Sequence, residues 1–129
     1  MELGYQRFTD PIICEISNDG RYYTLAKGFY YYRRGGKASN DIIAVPQGFK
    51  SDGFTNFNCD FLVKKYGKGL KCAILHDYLC ENANIGLNTR AFADDIFLES
   101  MLETHAFCKA KCYLLYFMVR FWAIIKGRV

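Results

Sequence analysis

The sequence predicts one α+β domain of 129 residues, with a small antiparallel N-terminal β-sheet packed on a three-helix core. Aromatic and β-branched runs cut by turn residues fill residues 1–45. Apolar residues at helical spacing fill residues 70–127. Residues 46–69 between them are rich in glycine and lack either period, so we expect an irregular loop there.

Composition agrees with a folded domain, because 51% of the residues are hydrophobic and 23% are charged. The net charge of +4 is too weak to predict a specific nucleic-acid partner. The first seven residues lack the apolar core of a signal peptide, so we expect no export by that route. The six cysteines are accordingly expected to be mostly reduced thiols.

Four strands are predicted in the first third of the chain. Residues 11–16 and 21–25 flank the dipeptide Asp19-Gly20, which is a strong hairpin signal. Residues 28–34 form a third run rich in tyrosine, and residues 41–45 form a fourth that stops at Pro46. The aromatic side chains of these runs are expected to fill the core.

Three helices are predicted in the second half. The first covers residues 70–81, and the second begins after Asn88 or Thr89 as its cap and ends near residue 104. The third covers residues 107–126 and is apolar nearly all round, interrupted by Arg120. It is too short to predict a membrane span, which needs about 20 apolar residues.

Two interpretations of the third helix follow from its composition. An apolar helix of this length is typical of a central core helix. Alternatively, the helix lies in a membrane interface with Trp122, Lys126 and Arg128 near the headgroups.

His76 is the first candidate functional residue, since its predicted helix face is otherwise small or apolar. On the second helix, Asp94 lies at the centre of a similar apolar arc. A short connection makes the two helices antiparallel neighbours. His76 lies about five residues before the connecting loop and Asp94 about six after the cap, so the two reach similar depth. We therefore expect His76 and Asp94 to meet, either as a structural pair in the core or as a functional one.

A carboxylate bound to one imidazole nitrogen fixes the tautomer and leaves the other nitrogen as a general base or a metal ligand. Asp77 then remains for a cation. Calcium prefers several oxygen ligands, including backbone carbonyls, and the glycine-containing turn at residues 51–55 is suited to supply them.

A rival metal hypothesis uses sulfur and imidazole ligands around zinc. Residues spaced four apart on a helix shift progressively around its axis, so three such ligands of one helix do not easily reach one ion. The candidate ligands form two sets, Cys72, His76 and Cys80 on the first helix and His105, Cys108 and Cys112 near the third.

Four blocks of the sequence resemble a family of small uncharacterised proteins of tailed phages and prophages. They are residues 45–53 (VPQGFKSDG), 73–79 (AILHDYL), 93–97 (ADDIF) and the dipeptide Val119-Arg120 in the Tyr-rich end. The resemblance covers roughly residues 40–127. It implies phage origin, a location in the host cytoplasm or the virion, and phage structural proteins as partners.

A more distant resemblance concerns chemistry, because an Asp-Gly turn, an H-D-x-x-Y helix and an aspartate on the partner helix are similar to phospholipase A2. It implies that His76 is the base that activates water and that Asp94 orients it. It also implies that Asp77 binds calcium together with the carbonyls of Asp52 and Gly53, and that membrane lipid is the partner.

Two departures from these patterns weaken the second resemblance. Cys80 stands where H-D-x-x-Y has tyrosine, and Phe54-Thr55 stands where the phage pattern has A-S. Three hypotheses result: a calcium-dependent acyl-ester hydrolase acting at a membrane, a non-catalytic virion or tail-associated protein, and a zinc-binding module.

Overall fold

A computed structural model describes residues 12–33, 42–51 and 68–127 of the chain. These residues belong to two compact units, a β-rich one within residues 1–65 and a helical one within residues 66–129. The two units together confirm the α+β class. The predicted packing of the sheet on the helices stays a prediction.

The β-rich unit begins with the predicted hairpin. Strands β1 (Cys14–Ile16) and β2 (Tyr23–Leu25) pair antiparallel. In the turn, the Ser17 hydroxyl donates to the carboxylate of Asp19 at 2.5 Å, and Gly20 adopts a φ of 75°. That hydroxyl, helped by the backbone N–H of Arg21, lowers the pKa of Asp19. The Asp-Gly signal therefore located the turn correctly.

In the described residues the five strands form two small sheets, whereas we predicted one. Strand β3 (Phe29–Tyr32) pairs antiparallel with β4 (Ile42–Val45) in a two-stranded sheet. Strand β5 (Lys50–Ser51) pairs antiparallel with β2, which gives a three-stranded sheet of order β1-β2-β5. Lys50 and Ser51 lie in the segment predicted to be irregular, and that prediction was wrong for them because two residues show no measurable alternation.

The helical unit consists of α1 (Lys68–Asn84), α2 (Arg90–Glu103) and α3 (Lys109–Ile125). The Thr89 hydroxyl accepts the backbone N–H of Phe92 at 3.0 Å, so Thr89 is the N-cap of α2, as the sequence predicts. Helix α2 packs against both α1 and α3. The middle helix of the sequence is thus also central in the unit.

Gly69 in the first turn of α1 permits a close approach to the segment before α3. A Cβ atom at this position would lie 2.5 Å from the Phe107 ring. Small size at residue 69 therefore lets the aromatic ring cover the start of α1.

Helix α3 is buried along one side and exposed along the other, although its sequence is apolar nearly all round. Its buried stripe faces α2 and consists of Cys112, Leu115, Val119 and Ala123. Its other side chains include large apolar groups that are exposed to solvent. Among the described residues, packing covers only the buried stripe of α3, so the interpretation of α3 as a central core helix was wrong. In the part of the chain that the structure describes, no helix has the length and hydrophobicity needed to cross a bilayer.

Candidate functional site

His76 and Asp94 meet between α1 and α2, as the depth argument predicts. The imidazole Nε2 donates to Asp94 Oδ1 at 2.6 Å. Both residues are buried, with exposed fractions of 5% for His76 and 0% for Asp94. The Phe97 ring of α2 stacks on the imidazole with a centroid separation of 4.6 Å, which holds the plane of the ring.

Two arginines complete the surroundings of the Asp94 carboxylate. Arg120 of α3 donates from Nη1 to Oδ2 at 2.9 Å. Arg90, one turn before Asp94 on α2, lies with its Nε 3.4 Å from Oδ1. One carboxylate therefore binds side chains of all three helices, and two guanidinium charges face its single negative charge.

The sequence analysis did not assign either arginine to the site. Arg90 stands four residues before Asp94, the spacing at which helical side chains meet, so the pairing was readable from the sequence. Arg120 interrupts an apolar run, and a charge in such a run requires a buried partner. The identity of that partner was not readable, because it depends on the rotation of α3 about its own axis.

The geometry assigns separate tasks to the two imidazole nitrogens. Because Nε2 donates to the Asp94 carboxylate, this geometry favours the tautomer with its proton on Nε2, in which Nδ1 is the unprotonated nitrogen. This is the arrangement that general-base catalysis requires of a histidine and its orienting carboxylate.

The Cys80 thiol lies beside the same nitrogen of His76. Its Sγ is 3.4 Å from His76 Nε2. In a nucleophilic triad, the nucleophile and the carboxylate contact opposite nitrogens of the imidazole. Cys80 and Asp94 share one nitrogen, so this geometry does not form a Cys-His-Asp triad.

A metal-binding group is nevertheless present in outline. Ligand atoms of His76, Cys80 and Asp94 all lie within 4.8 Å of one another. The charge balance opposes a dication at this point, because Arg90 and Arg120 already contact the carboxylate. A cation could bind Asp94 only after at least one guanidinium had moved away, so these residues fit a metal poorly.

The predicted zinc set is brought together only in part. His76 and Cys80 belong to the metal-binding group, whereas the other four candidates of the described chain do not. The Cys72 thiol lies 3.7 Å from the Thr104 hydroxyl, and burial raises its pKa to about 11. The Cys112 thiol donates to the carbonyl of Phe107, and burial raises its pKa as well. His105 and Cys108 are exposed.

Of the three predicted calcium ligands, the structure describes only Asp77. Asp77 lies on α1 directly after His76 and is half-buried. Asp52 and Gly53 lie outside the described residues. The calcium site formed by these three residues therefore stays a prediction.

A comparison with known families gives one result. The model of a family described as "Protein of unknown function (DUF1353)" matches residues 23–119. The matched segment includes His76, Cys80, Arg90 and Asp94, and it ends one residue before Arg120. Neither the curated proteins nor the solved structures contain a significant match to the chain.

Proposed function

The chain belongs to the DUF1353 family, and because that description names no activity, we propose a function from the site: hydrolysis of an acyl ester with His76 as the general base. The observation that carries the proposal is the hydrogen bond of 2.6 Å between His76 Nε2 and Asp94. It fixes the tautomer in which Nδ1 can accept a proton. Asp94 is in turn held by Arg90 and Arg120, so the base is rigidly oriented.

The proposed reaction is a direct attack by water. Nδ1 of His76 takes one proton from a water molecule as its oxygen bonds to the ester carbonyl carbon. The C–O bond to the alcohol then breaks, and the imidazolium returns the proton to the departing alkoxide. The Asp94 carboxylate stabilises the imidazolium that forms between these two steps.

Calcium is the proposed electrophile, by resemblance to phospholipase A2. Asp77 and the carbonyls of Asp52 and Gly53 would hold the ion, which would polarise the ester carbonyl. The placement of Asp77 directly beside His76 in the chain supports this assignment. The metal-binding group of His76, Cys80 and Asp94 is a separate set, and two arginines oppose a cation there.

Burial of His76 sets a condition on the proposal. Only 5% of the residue is exposed, so substrate must approach a small open part of the ring or open the helical unit locally. An ester held in a lipid surface fits this condition, because the lipid interface itself can supply the apolar surroundings of the acyl chain. We therefore propose a membrane phospholipid as the substrate class.

Fatty-acid release from phosphatidylglycerol vesicles tests the proposal. The purified chain should release fatty acid in the presence of calcium, and release should stop when calcium is chelated. His76→Gln should lower the rate of fatty-acid release by at least about 100-fold, as expected for the loss of a general base. Asp95→Asn is the matched control, since it neutralises the exposed carboxylate next to Asp94 in the chain and should leave release unchanged.

Absence of release by the unmodified chain, with and without calcium, would contradict the hydrolase. Release that survives His76→Gln would show that another residue is the base. Metal analysis of the purified protein distinguishes the calcium-dependent hydrolase from the zinc-binding module, because bound zinc would support the module.

A second candidate function is favoured by the complete enclosure of Asp94. Its exposed fraction is 0%, and its partners come from all three helices, as expected for a structural link in a folded core. In this alternative the chain is a non-catalytic component of a phage virion or tail. His76→Gln would then lower the stability of the protein while no ester is cleaved, and mass spectrometry of purified particles would detect the chain.

A further inference from the structure

The outward side of α3 carries several large apolar side chains that are exposed to solvent. Phe117 and Phe121 are 61% and 66% exposed, values that are high for phenylalanine in a folded protein. We call the exposed set the α3 apolar stripe, and its members are Tyr113, Leu114, Phe117, Phe121, Ile124 and Ile125.

The α3 apolar stripe lies opposite the buried stripe of the same helix. At about 100° per residue, Phe117, Phe121 and Ile124 share one side. Leu115, Val119 and Ala123 lie on the far side, where they pack against α2. The helix therefore has two apolar faces, and packing within the helical unit accounts for only one of them.

Basic residues stand at both ends of helix α3. Lys109 and Lys111 stand in the first turn, and Lys126 follows the last. Lys126 Nζ lies 4.7 Å from the centroid of the Trp122 ring, so cation and indole form one amphipathic end. The helix itself contains no aspartate or glutamate.

We propose that α3 binds the surface of an anionic phospholipid bilayer, with its apolar stripe in the headgroup and acyl-chain boundary. Apolar side chains would enter the boundary, and the flanking lysines would contact lipid phosphates. Trp122 at the same end of the helix is also exposed, about 100° around the axis from Phe121, and tryptophan is enriched at membrane interfaces. The inference rests on the outward side of α3 and does not depend on ester hydrolysis.

The charges argue against a second copy of the chain as the occupant. Antiparallel pairing of two stripes would place Lys109 and Lys111 of one copy near Lys126 of the other. Parallel pairing would place like ends together, again basic against basic. Neither arrangement offers a carboxylate of α3 to compensate these lysines, whereas an anionic bilayer does.

Vesicle sedimentation with the full chain tests the proposal. We expect binding to phosphatidylglycerol vesicles, weaker binding to phosphatidylcholine vesicles, and a decrease as salt is raised. The double variant Phe117→Ser/Phe121→Ser should lower the partition coefficient on phosphatidylglycerol by at least about tenfold.

A matched control uses two apolar residues of the α1–α2 connection. Ile85 and Leu87 are each 71% exposed, so Ile85→Ser/Leu87→Ser removes comparable exposed side chains at another place. This variant should keep binding within about twofold. Urea unfolding of both variants verifies that the helical unit is intact.

Three outcomes would overturn the proposal. They are a failure of the unmodified chain to bind phosphatidylglycerol vesicles, an equal loss of binding in the two double variants, and a dimer in solution that the α3 variant dissociates. Because no ester needs to be cleaved in these measurements, a failed hydrolysis assay leaves the result intact.

Discussion

Arg120 Nη1 donates to Asp94 Oδ2 at 2.9 Å, so a residue of the third helix holds the carboxylate that binds His76 of the first. The side chain of Arg120 is 17% exposed and that of Asp94 is fully buried. A buried carboxylate is tolerated only with such compensation, because removing it from water without partners costs several kcal/mol. Arg120 is therefore part of the same unit as the His76–Asp94 pair.

Asp94→Asn should strongly destabilise the helical unit. The substitution leaves Arg90 and Arg120 facing a neutral amide, and loss of one partner from a buried ionic group costs about 3–5 kcal/mol. Asp95→Asn is the control, since Asp95 is exposed and contacts Tyr116 at 3.2 Å. It should cost less than about 1 kcal/mol. Urea titration followed by circular dichroism measures both, and equal effects would refute the special role of Asp94.

The two arginines should differ in their contribution to stability. Arg120→Gln removes a bond of 2.9 Å and should cost about 2 kcal/mol. Arg90→Gln removes a longer contact of 3.4 Å within one helix and should cost less than about 1 kcal/mol. A double-mutant cycle with Asp94→Asn would isolate each coupling, and a larger coupling for Arg90 would contradict the geometry.

The Cys72 thiol should make stability fall at alkaline pH. Its pKa rises from 9.0 in the unfolded chain to about 11 in the folded one, chiefly by burial. A thiol with a raised pKa contributes stability that is fully present below pH 9 and is lost as the pH rises through 11. Cys72→Val should remove this part of the pH dependence. Unfolding free energies at pH 8 and pH 11 for both proteins check it, and parallel declines would exclude Cys72 as the source.

The same thiol should be slow to react with iodoacetamide in the folded protein. Cys72 is 0% exposed and its pKa is about 11, so little thiolate forms at pH 8. Exposed Cys108 should react much faster, and urea should abolish the difference. Peptide mass spectrometry after timed alkylation gives both rates, and equal rates in buffer would be evidence against the buried position.

Loss of the α2 cap should destabilise the protein moderately. Thr89→Ala removes the acceptor of the Phe92 N–H bond and should cost about 1 kcal/mol. Thr89→Ser retains an oxygen at the same place and should restore most of that loss. Thermal unfolding of the two variants compares them, and equal destabilisation would argue for a role of the threonine methyl group instead.

Much of the helical unit could be predicted because local patterns determine it. Periodicity gave three helices, Thr89 marked the start of α2, and equal depth in an antiparallel pair brought His76 to Asp94. The arginine contacts were harder to predict for different reasons. Arg90 followed from a spacing that we did not use. The contact of Arg120 depended on the orientation of a helix that is apolar nearly all round.

The strands show the other limit of local patterns. Asp19-Gly20 marks its own turn, because the residues that make it are adjacent in the chain. The pairing of Lys50 with Thr24 joins residues that are far apart in the sequence. A strand of two residues is also too short to show an alternation of apolar and polar residues. The division into two sheets was missed for the same reason, since strand order depends on contacts that the sequence does not display.

The anchoring of Asp94 by three helices has a consequence for how the helical unit opens. If any one helix detached, a buried charge would lose a partner, so partial opening is penalised at each helix alike. We therefore expect amide hydrogens in the middle of α1, α2 and α3 to exchange with deuterium in one cooperative event. In Asp94→Asn, we expect the amide hydrogens of the three helices to exchange in separate events.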